Sequence, residues 1–147
     1  GMEWDADHAT VQEFLEGYSP CASELCELLQ RALHDETLQA GWDALLQDDL
    51  RCVVSMVEHI KERFHELDYH YSNRDHETLH ELLPTVIEEI RSFVLGQEGL
   101  QEVTGRVDRS IEQVGLEPWS LQDCMKDVIA MCEGMGRRLP GMAARGK

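Results

Sequence analysis

The chain has almost no basic residues in its first third and no long apolar run. Residues 1–50 contain 12 acidic residues and one base, Arg31, and the 147 residues together carry a formal net charge of −16. No apolar stretch approaches the roughly 20 residues that a transmembrane helix requires. Because so acidic a surface repels phosphate groups and anionic lipids, we expect neither a nucleic-acid partner nor a membrane partner.

The five cysteines form no CxxC pair, and their odd number does not suit a disulfide framework. Reduced thiols are typical of the cytosol, and the acidic start of the chain differs from the basic start of a signal peptide. We therefore expect a cytoplasmic protein, in which Gly1 is a cloning remnant before a native Met2. Three cysteines with apolar neighbours are predicted to be small core residues: Cys21, Cys26 and Cys132.

No segment alternates between apolar and polar residues over the length of a strand, which favours an all-α fold. The longest helical pattern runs from Trp42 to Tyr71, and we expect the rest of the chain to pack around it. Its apolar residues recur at intervals of four and three, which only an α-helix places on one face: Leu46, Leu50, Val53, Val57, Ile60, Phe64, Leu67 and Tyr71. At 1.5 Å per residue, this helix would be about 45 Å long.

Two shorter helices are predicted before the long one. The first covers residues 4–18, and Pro20 is expected to separate it from the second. The end of the second helix has two interpretations. We favour a helix that runs to Ala40 with Gly41 turning the chain, because glycine is preferred just after a helix end. In the alternative, Asp35 caps a new helix that continues through Gly41 into the long one.

Three further helices are predicted after the long one. Ser72, with Asp75 three residues later, forms a capping pattern for the fourth helix. Pro84 interrupts that helix and is expected to kink or break it, because proline lacks the N–H that the helix needs. The fifth helix is weaker and covers residues 100–114, ending at Gly115.

The last helix is predicted to begin at Ser120 and to end at its glycines near Gly136. Residues 137–147 contain four bases and no acid, and we expect them to be a flexible, glycine-rich tail. Residues 1–136 would then form one domain. The predicted architecture is an antiparallel helical bundle of about five to six helices with one long central helix.

The segment HETLH, from His76 to His80, matches the HExxH signature of zinc proteases. Imidazoles four residues apart share a helical face and can bind one Zn²⁺, with the glutamate beside the metal-bound water. However, Asp75 and Glu81 flank the segment with charge, and the chain lacks both an HxxGxxH extension and strands that would form a cleft. A zinc-dependent hydrolase is therefore kept only as the alternative function.

Two ExxH units, Glu62 to His65 and Glu77 to His80, also match the ligand pattern of di-iron carboxylate bundles. In such proteins all of the ligands face the core. The heptad register instead places Glu62 at position f and His65 at b, and it places Glu77 at b and His80 at e. All four side chains are therefore predicted to face outward, which argues against a di-iron centre.

A helical hairpin that turns near residue 72 would bring His65 close to His76 and His80. These three histidines are the metal-ligand candidates, as a surface cluster that binds Zn²⁺ or Ni²⁺ opportunistically. The favoured interpretation of the same residues is a solvated polar surface, and no catalytic, cofactor-binding or metal-binding residue is assigned.

The function favoured by the sequence is a protein–protein interaction or adaptor module without catalysis. The acidic N-terminal third suggests a basic protein partner, because opposite charges steer association. A homodimer that forms through an exposed heptad seam is a second expectation for the partner.

Overall fold

The computed structural model describes residues 2–117 and 120–145 of the chain. In that part of the chain the regular structure is helical throughout, which confirms the predicted all-α bundle. Six helices are present: α1 (Met2–Leu33), α2 (Glu36–Gln39), α3 (Ala44–Ser72), α4 (His76–Leu95), α5 (Gln97–Gln113) and α6 (Leu121–Arg145). None of the helices described is both long and apolar enough to cross a membrane.

The apolar face of α3 is buried as the spacing predicted. All eight residues of its seam, Leu46 through Tyr71, lie in the hydrophobic core. The helix packs against α1, α4 and α5, and its outward positions are mostly polar, with Leu45, Met56 and Tyr69 as exposed exceptions. Because the seams of α3, α4 and α6 are buried within one chain, they are not exposed for self-association as the sequence suggested. The homodimer itself stays a prediction.

Helix α1 is continuous, so the predicted separation of two helices at Pro20 is wrong. Buried residues keep helical spacing on both sides of the exposed proline, from Leu15 and Tyr18 to Ala22 and Leu25. This helix packs against α3 and α6. Burial of a long apolar face therefore outweighs the hydrogen bond that the proline cannot donate.

The connection between α1 and α3 differs from both predicted alternatives. Helix α1 ends at Leu33, and Asp35 then caps the single turn of α2 by accepting a hydrogen bond from the N–H of Leu38 at 3.1 Å. Asp43 caps α3 in the same way at Leu46, with a distance of 2.8 Å. The second alternative placed the Asp35 cap correctly, but the helix that this residue caps ends at Gln39, and the Asp43 cap of α3 was not predicted.

Helix α4 begins at His76 and runs through Pro84 without a break, so the expected helix break is not found. Ser72 is the last residue of α3 rather than the cap of α4. Asp75 is the cap instead, and its Oδ1 atom accepts a hydrogen bond from the N–H of Thr78 at 3.1 Å. The same carboxylate accepts the hydroxyl of Thr78 at 2.7 Å, and these bonds lower the pKa of Asp75.

Helix α6 continues through Gly136 to Arg145, so the predicted tail from residue 137 is wrong up to that point. Residues 146 and 147 of the predicted tail lie outside the described residues. Leu139 and Met142 are buried in the core beyond Gly136, which explains why the helix persists through its glycines. The guanidinium of Arg145 also donates a hydrogen bond to Asp7 on α1, and this contact ties the end of α6 to the start of the chain.

Candidate functional site

A cavity lies at one end of the bundle, where the start of α1, the end of α3, the start of α4 and the end of α6 meet. Its volume is about 460 Å³, and we call it the bundle-end cavity. Its lining is mainly apolar, with contributions from Leu79, Leu83 and Met142. The polar and aromatic side chains that line it are Glu3, Trp4, Asp7, Tyr71, His76, His80 and Arg145.

One wall of the bundle-end cavity is a stack of aromatic rings. The indole of Trp4 contacts the ring of Tyr71, with 4.8 Å between the centroids, and the imidazole of His76, with 3.9 Å. His8 stacks on Tyr71 at 5.6 Å and makes a hydrogen bond with Asp68 at 2.9 Å. This network joins α1 to the ends of α3 and α4 and fixes the shape of the wall.

Two of the charged side chains that line the cavity, Asp7 and Arg145, form an ion pair. Asp7 is only 7% exposed, and its Oδ1 atom accepts a hydrogen bond from the Arg145 guanidinium. That hydrogen bond raises the pKa of Arg145 further, so the guanidinium stays charged. Burial, reinforced by the Asp7 carboxylate, raises the pKa of the neighbouring Tyr71 phenol to about 12. The cavity therefore holds a buried carboxylate, a fixed cation and a neutral phenol.

The structure brings together two of the three candidate histidines. His76 and His80 both line the bundle-end cavity, whereas His65 does not line it. Glu62, His65 and Glu77 are exposed, as are the two cavity histidines, which confirms the outward register predicted for the ExxH units. Among residues 2–117 and 120–145, no group of three or more His, Cys, Asp or Glu side chains is placed to hold a metal ion. The HETLH segment thus supplies two imidazoles without a third protein ligand.

Sequence reasoning missed the other half of this cavity. Trp4, Asp7 and Arg145 come from the two ends of the described chain, and Arg145 belonged to the predicted tail. One signal was available, because Leu139 and Met142 continue the apolar spacing of the last helix beyond Gly136. Extending that helix would have placed Arg145 at its end.

A second concave surface runs along α3 where α4 gives way to α5. Two adjoining cavities of about 250 Å³ and 360 Å³ share the side chain of Met56, and we call the pair the α3 groove. The apolar side chains that line the groove are Val53, Met56, Ile60, Phe93, Leu100 and Val103. Its α3 residues, from Asp49 to Ile60, lie on one side of the helix and span about 16 Å, or three helical turns.

Carboxylates line both parts of the α3 groove. Asp49 and Glu102 are exposed and form no ion pair with any residue that the structure describes. Glu89 is held by Arg63, whose Nε and Nη2 atoms donate to the two carboxylate oxygens at 3.0 and 3.1 Å. Burial raises the pKa of Glu89, but the bonds from Arg63 and His59 outweigh it and leave that pKa below its ordinary value. The groove wall is therefore anionic at neutral pH.

Burial raises the thiol pKa of four of the five cysteines. Cys26 and Cys132 are buried, and burial raises their pKa values to about 11 and about 12, which keeps both thiols protonated at neutral pH. Cys21 and Cys124 are half-buried beside Glu24 and acidic residues of α6, and their pKa values are raised too, first by burial. The core prediction is confirmed for Cys26 and Cys132, and Cys21 lies at the core's edge.

Comparison with known proteins finds no matching family model, no matching curated protein and no matching solved structure. A function for this chain is therefore argued from its own cavities, charges and surfaces.

Proposed function

We propose that this protein is a protein-interaction module that binds a basic, amphipathic helical segment of a partner protein in the α3 groove. The observation that carries the proposal is a groove with an apolar floor and anionic walls on a protein of net charge −16. A basic partner is also what the sequence led us to expect. The binding surface proposed for it lies on α3, α4 and α5 rather than at the start of the chain.

The apolar floor suits the side chains of a docked helix. Met56 is 38% exposed at the centre of the groove, and Ile60 and Phe93 lie on one side of it. Leu100 and Val103 lie on the other side. Helices recognised in grooves insert apolar anchors at positions i, i+3 or i+4, and i+7, which span about two turns, so the groove is long enough to hold them. Methionine is well suited to such a floor because its flexible thioether adapts to different side chains.

Charge favours a basic rather than an acidic helix. The groove lining includes four carboxylates, Asp49, Glu88, Glu89 and Glu102, against one guanidinium, Arg106. Arg106 is itself near a carboxylate, since its Nη2 atom lies 3.8 Å from Asp43. Flanking Lys and Arg residues of a partner would find Asp49 and Glu102 available at the groove edge.

The acidic face of α1 adds to this preference at longer range. Five exposed carboxylates fall within about 100° of arc around the helix axis, at 100° per residue: Asp5, Glu13, Glu16, Glu24 and Glu27. Only Glu27 of these five has an ion-pair partner among the described residues, Arg31 at 3.1 Å. Such a field raises the association rate of a basic partner and weakens as salt is added.

The test uses two labelled synthetic peptides that share one apolar helical face, one with lysine and one with glutamate on the polar face. Fluorescence anisotropy is expected to show micromolar binding of the basic peptide and at least about tenfold weaker binding of the acidic one, which corresponds to about 1.4 kcal/mol. The Met56→Gln variant is expected to weaken binding of the basic peptide about tenfold, because it places a polar group at the centre of the floor.

Leu45→Gln is the matched control, since Leu45 is a 71% exposed apolar residue of α3 that does not line the groove. This variant is expected to bind the basic peptide as the wild type does. Equal binding of both peptides, or an unchanged affinity for Met56→Gln, would overturn the proposal. In the second case the attraction would come from the net charge of the surface alone.

A further inference from the structure

The bundle-end cavity has the size and lining of a small-molecule site. Its volume of about 460 Å³ lies within the range of ligand pockets, and apolar side chains dominate its surface. We propose that it binds a small organic cation, in which a protonated amine is joined to a compact apolar or aromatic body. The proposal concerns a different surface from the α3 groove and does not depend on it.

The ammonium group would be held by carboxylates. Asp7 is more than nine-tenths buried, and Arg145 occupies only its Oδ1 atom. The Oδ2 atom accepts no hydrogen bond from any residue that the structure describes, although a carboxylate has about four acceptor sites in all. Glu3 lies one helical turn before Asp7 and lines the same cavity. Two carboxylates, those of Glu3 and Asp7, therefore line the cavity. The buried carboxylate of Asp7 can still accept hydrogen bonds from a ligand.

The charge balance of the cavity excludes an anion as the preferred ligand. Glu3 and Asp7 contribute two negative charges and Arg145 one positive charge, so these groups sum to −1. The bond from Arg145 to Asp7 pairs the guanidinium with a carboxylate, and no other Lys or Arg among the described residues lines the cavity. The remaining charge of the protein, −16 in total, adds to the potential that attracts a cation.

The aromatic wall provides a second means of recognising an amine. Trp4, Tyr71 and His76 line the cavity, and the indole of Trp4 contacts the rings of the other two. Cations are attracted to the faces of tryptophan and tyrosine when they lie within about 6 Å of the ring centre. The same rings, with Leu79 and Leu83 beyond them, give an apolar surface for the body of the ligand. An amphipathic amine matches both features, whereas a bare metal ion would use neither the rings nor the leucines.

The test compares three probes of nearly equal size at pH 8: phenethylamine, phenethyl alcohol and phenylacetate. Isothermal titration calorimetry is expected to show millimolar or tighter binding of the amine, at least about tenfold weaker binding of the alcohol, and no binding of the carboxylate. In two-dimensional NMR spectra, the amine is expected to shift the indole N–H signal of Trp4 and to leave that of Trp42 in place.

Two variants that remove a carboxylate test its role. Glu3→Gln and Asp7→Asn are each expected to weaken amine binding about threefold to tenfold and to leave the weak binding of the alcohol unchanged. Because Asp7→Asn also removes the ion pair with Arg145, the exposed Glu3 keeps the test valid if that variant does not fold. Glu13→Gln is the matched control, with the same charge change on α1 outside the cavity.

Three outcomes would overturn the proposal. The first is equal affinity for amine and alcohol, which would make the site an apolar cavity without charge selectivity. The second is an equal loss of affinity in Glu3→Gln and Glu13→Gln, which would reflect the diffuse field of the protein. The third is the absence of amine binding at a ligand concentration on the order of 10 mM, which is roughly tenfold above the dissociation constant expected of so small a ligand.

Discussion

The side chain of Asp108 on α5 caps α6 at Leu121, whose backbone N–H donates to the Asp108 Oδ1 atom at 3.0 Å. The Oδ2 atom accepts the N–H of the next residue, Gln122, also at 3.0 Å. A helix start normally takes its cap from the residue just before it. Here that residue is Ser120, which has a positive φ of 53°. One helix of the bundle therefore completes the hydrogen bonding of another, and α5 and α6 are stabilised together.

Replacing Asp108, whose carboxylate caps α6, should lower the free energy of unfolding more than replacing Ser120, where the sequence predicted that helix to begin. We expect Asp108→Ala to lower the free energy of unfolding by about 1–2 kcal/mol, because two N–H groups lose their acceptor. Ser120→Ala should change it by less than about 0.5 kcal/mol, since no hydrogen bond from its side chain is present in the described structure. Urea unfolding followed by circular dichroism measures both. A larger loss of unfolding free energy for Ser120→Ala than for Asp108→Ala would mean that the serine, and not the aspartate of α5, caps α6.

Two glycines of α6 make a matched pair for helix packing. A methyl group added at Gly134 would meet no atom within 4 Å, whereas one at Gly136 would lie 3.1 Å from the Cγ2 atom of Ile90 on α4. Gly134→Ala should therefore stabilise the protein by about 0.5–1 kcal/mol through helix propensity. Gly136→Ala gains the same propensity but must displace a fully buried isoleucine, so we expect it to destabilise by about 1–2 kcal/mol.

Thermal unfolding of the two variants measures this difference. The expected result is a higher midpoint for Gly134→Ala than for the wild type and a lower one for Gly136→Ala. A double variant that also carries Ile90→Ala provides the control, because alanine lacks the Cγ2 methyl group that would contact a methyl group at residue 136. If Gly136→Ala is as costly in the Ile90→Ala background as in the wild type, the contact between α6 and α4 is not its cause.

The features predicted correctly from the sequence are those that depend on residues close together in the chain. The seam of α3 is an example, because burial of Leu46 and Leu50 follows from a spacing that any helix imposes. The same register placed Glu62 and His65 on the outside. Local spacing fixes the direction of a side chain once the helix is known, and this outward direction is the reason that the sequence argues against a di-iron centre.

The features missed from the sequence depend on residues that are distant in the chain. Proline and glycine signals predicted helix ends at Pro20 and Gly136, but packing against other helices carries α1 and α6 past them. The bundle-end cavity needs Asp7 and Arg145, which are 138 residues apart. The α3 groove forms where α4 ends and α5 begins, and no single segment contains it. Such sites follow from the arrangement of the helices, which hydrophobic spacing does not specify.

The ion pair between Arg63 and Glu89 should make stability depend on pH in acid. Because the folded pKa of Glu89 lies below its ordinary value of 4.5, the pair contributes fully above that pH and is lost as the pH falls through the folded value. Both side chains are about 25% exposed, so solvent screens the pair. We expect Glu89→Gln to lose about 0.5–1 kcal/mol at pH 7 and nearly nothing at pH 3.

Urea unfolding at the two pH values measures this loss, and Glu88→Gln is the control. Glu88 is an exposed neighbour on the same helix, and it pairs only with Arg91 at 3.4 Å. That variant should change stability by less than about 0.3 kcal/mol at either pH. A Glu89→Gln variant that is as destabilised at pH 3 as at pH 7 would show that packing, rather than charge, joins α3 to α4 at this position.

In alkali the buried thiols and phenols should destabilise the fold. Burial raises the pKa of Cys132 from 9.0 to about 12, so above pH 9 the unfolded chain releases a proton that the folded chain retains. The folded state then binds more protons, and stability falls as the pH rises. Tyr71, with a pKa raised from 10.0 to about 12, adds to the fall above pH 10.

The contribution of Cys132 can be isolated by comparing stability at pH 7 and pH 10.5 under reducing conditions. Cys132→Ala should lose about 1–2 kcal/mol less between these pH values than the wild type does, because the titrating thiol is gone. Val128→Ala creates a cavity on the same buried face without removing a thiol, so it should lower stability by equal amounts at both pH values. If the two variants have the same pH profile, then Cys132 ionises alike in the folded and unfolded chains, and its burial has no part in the alkaline instability.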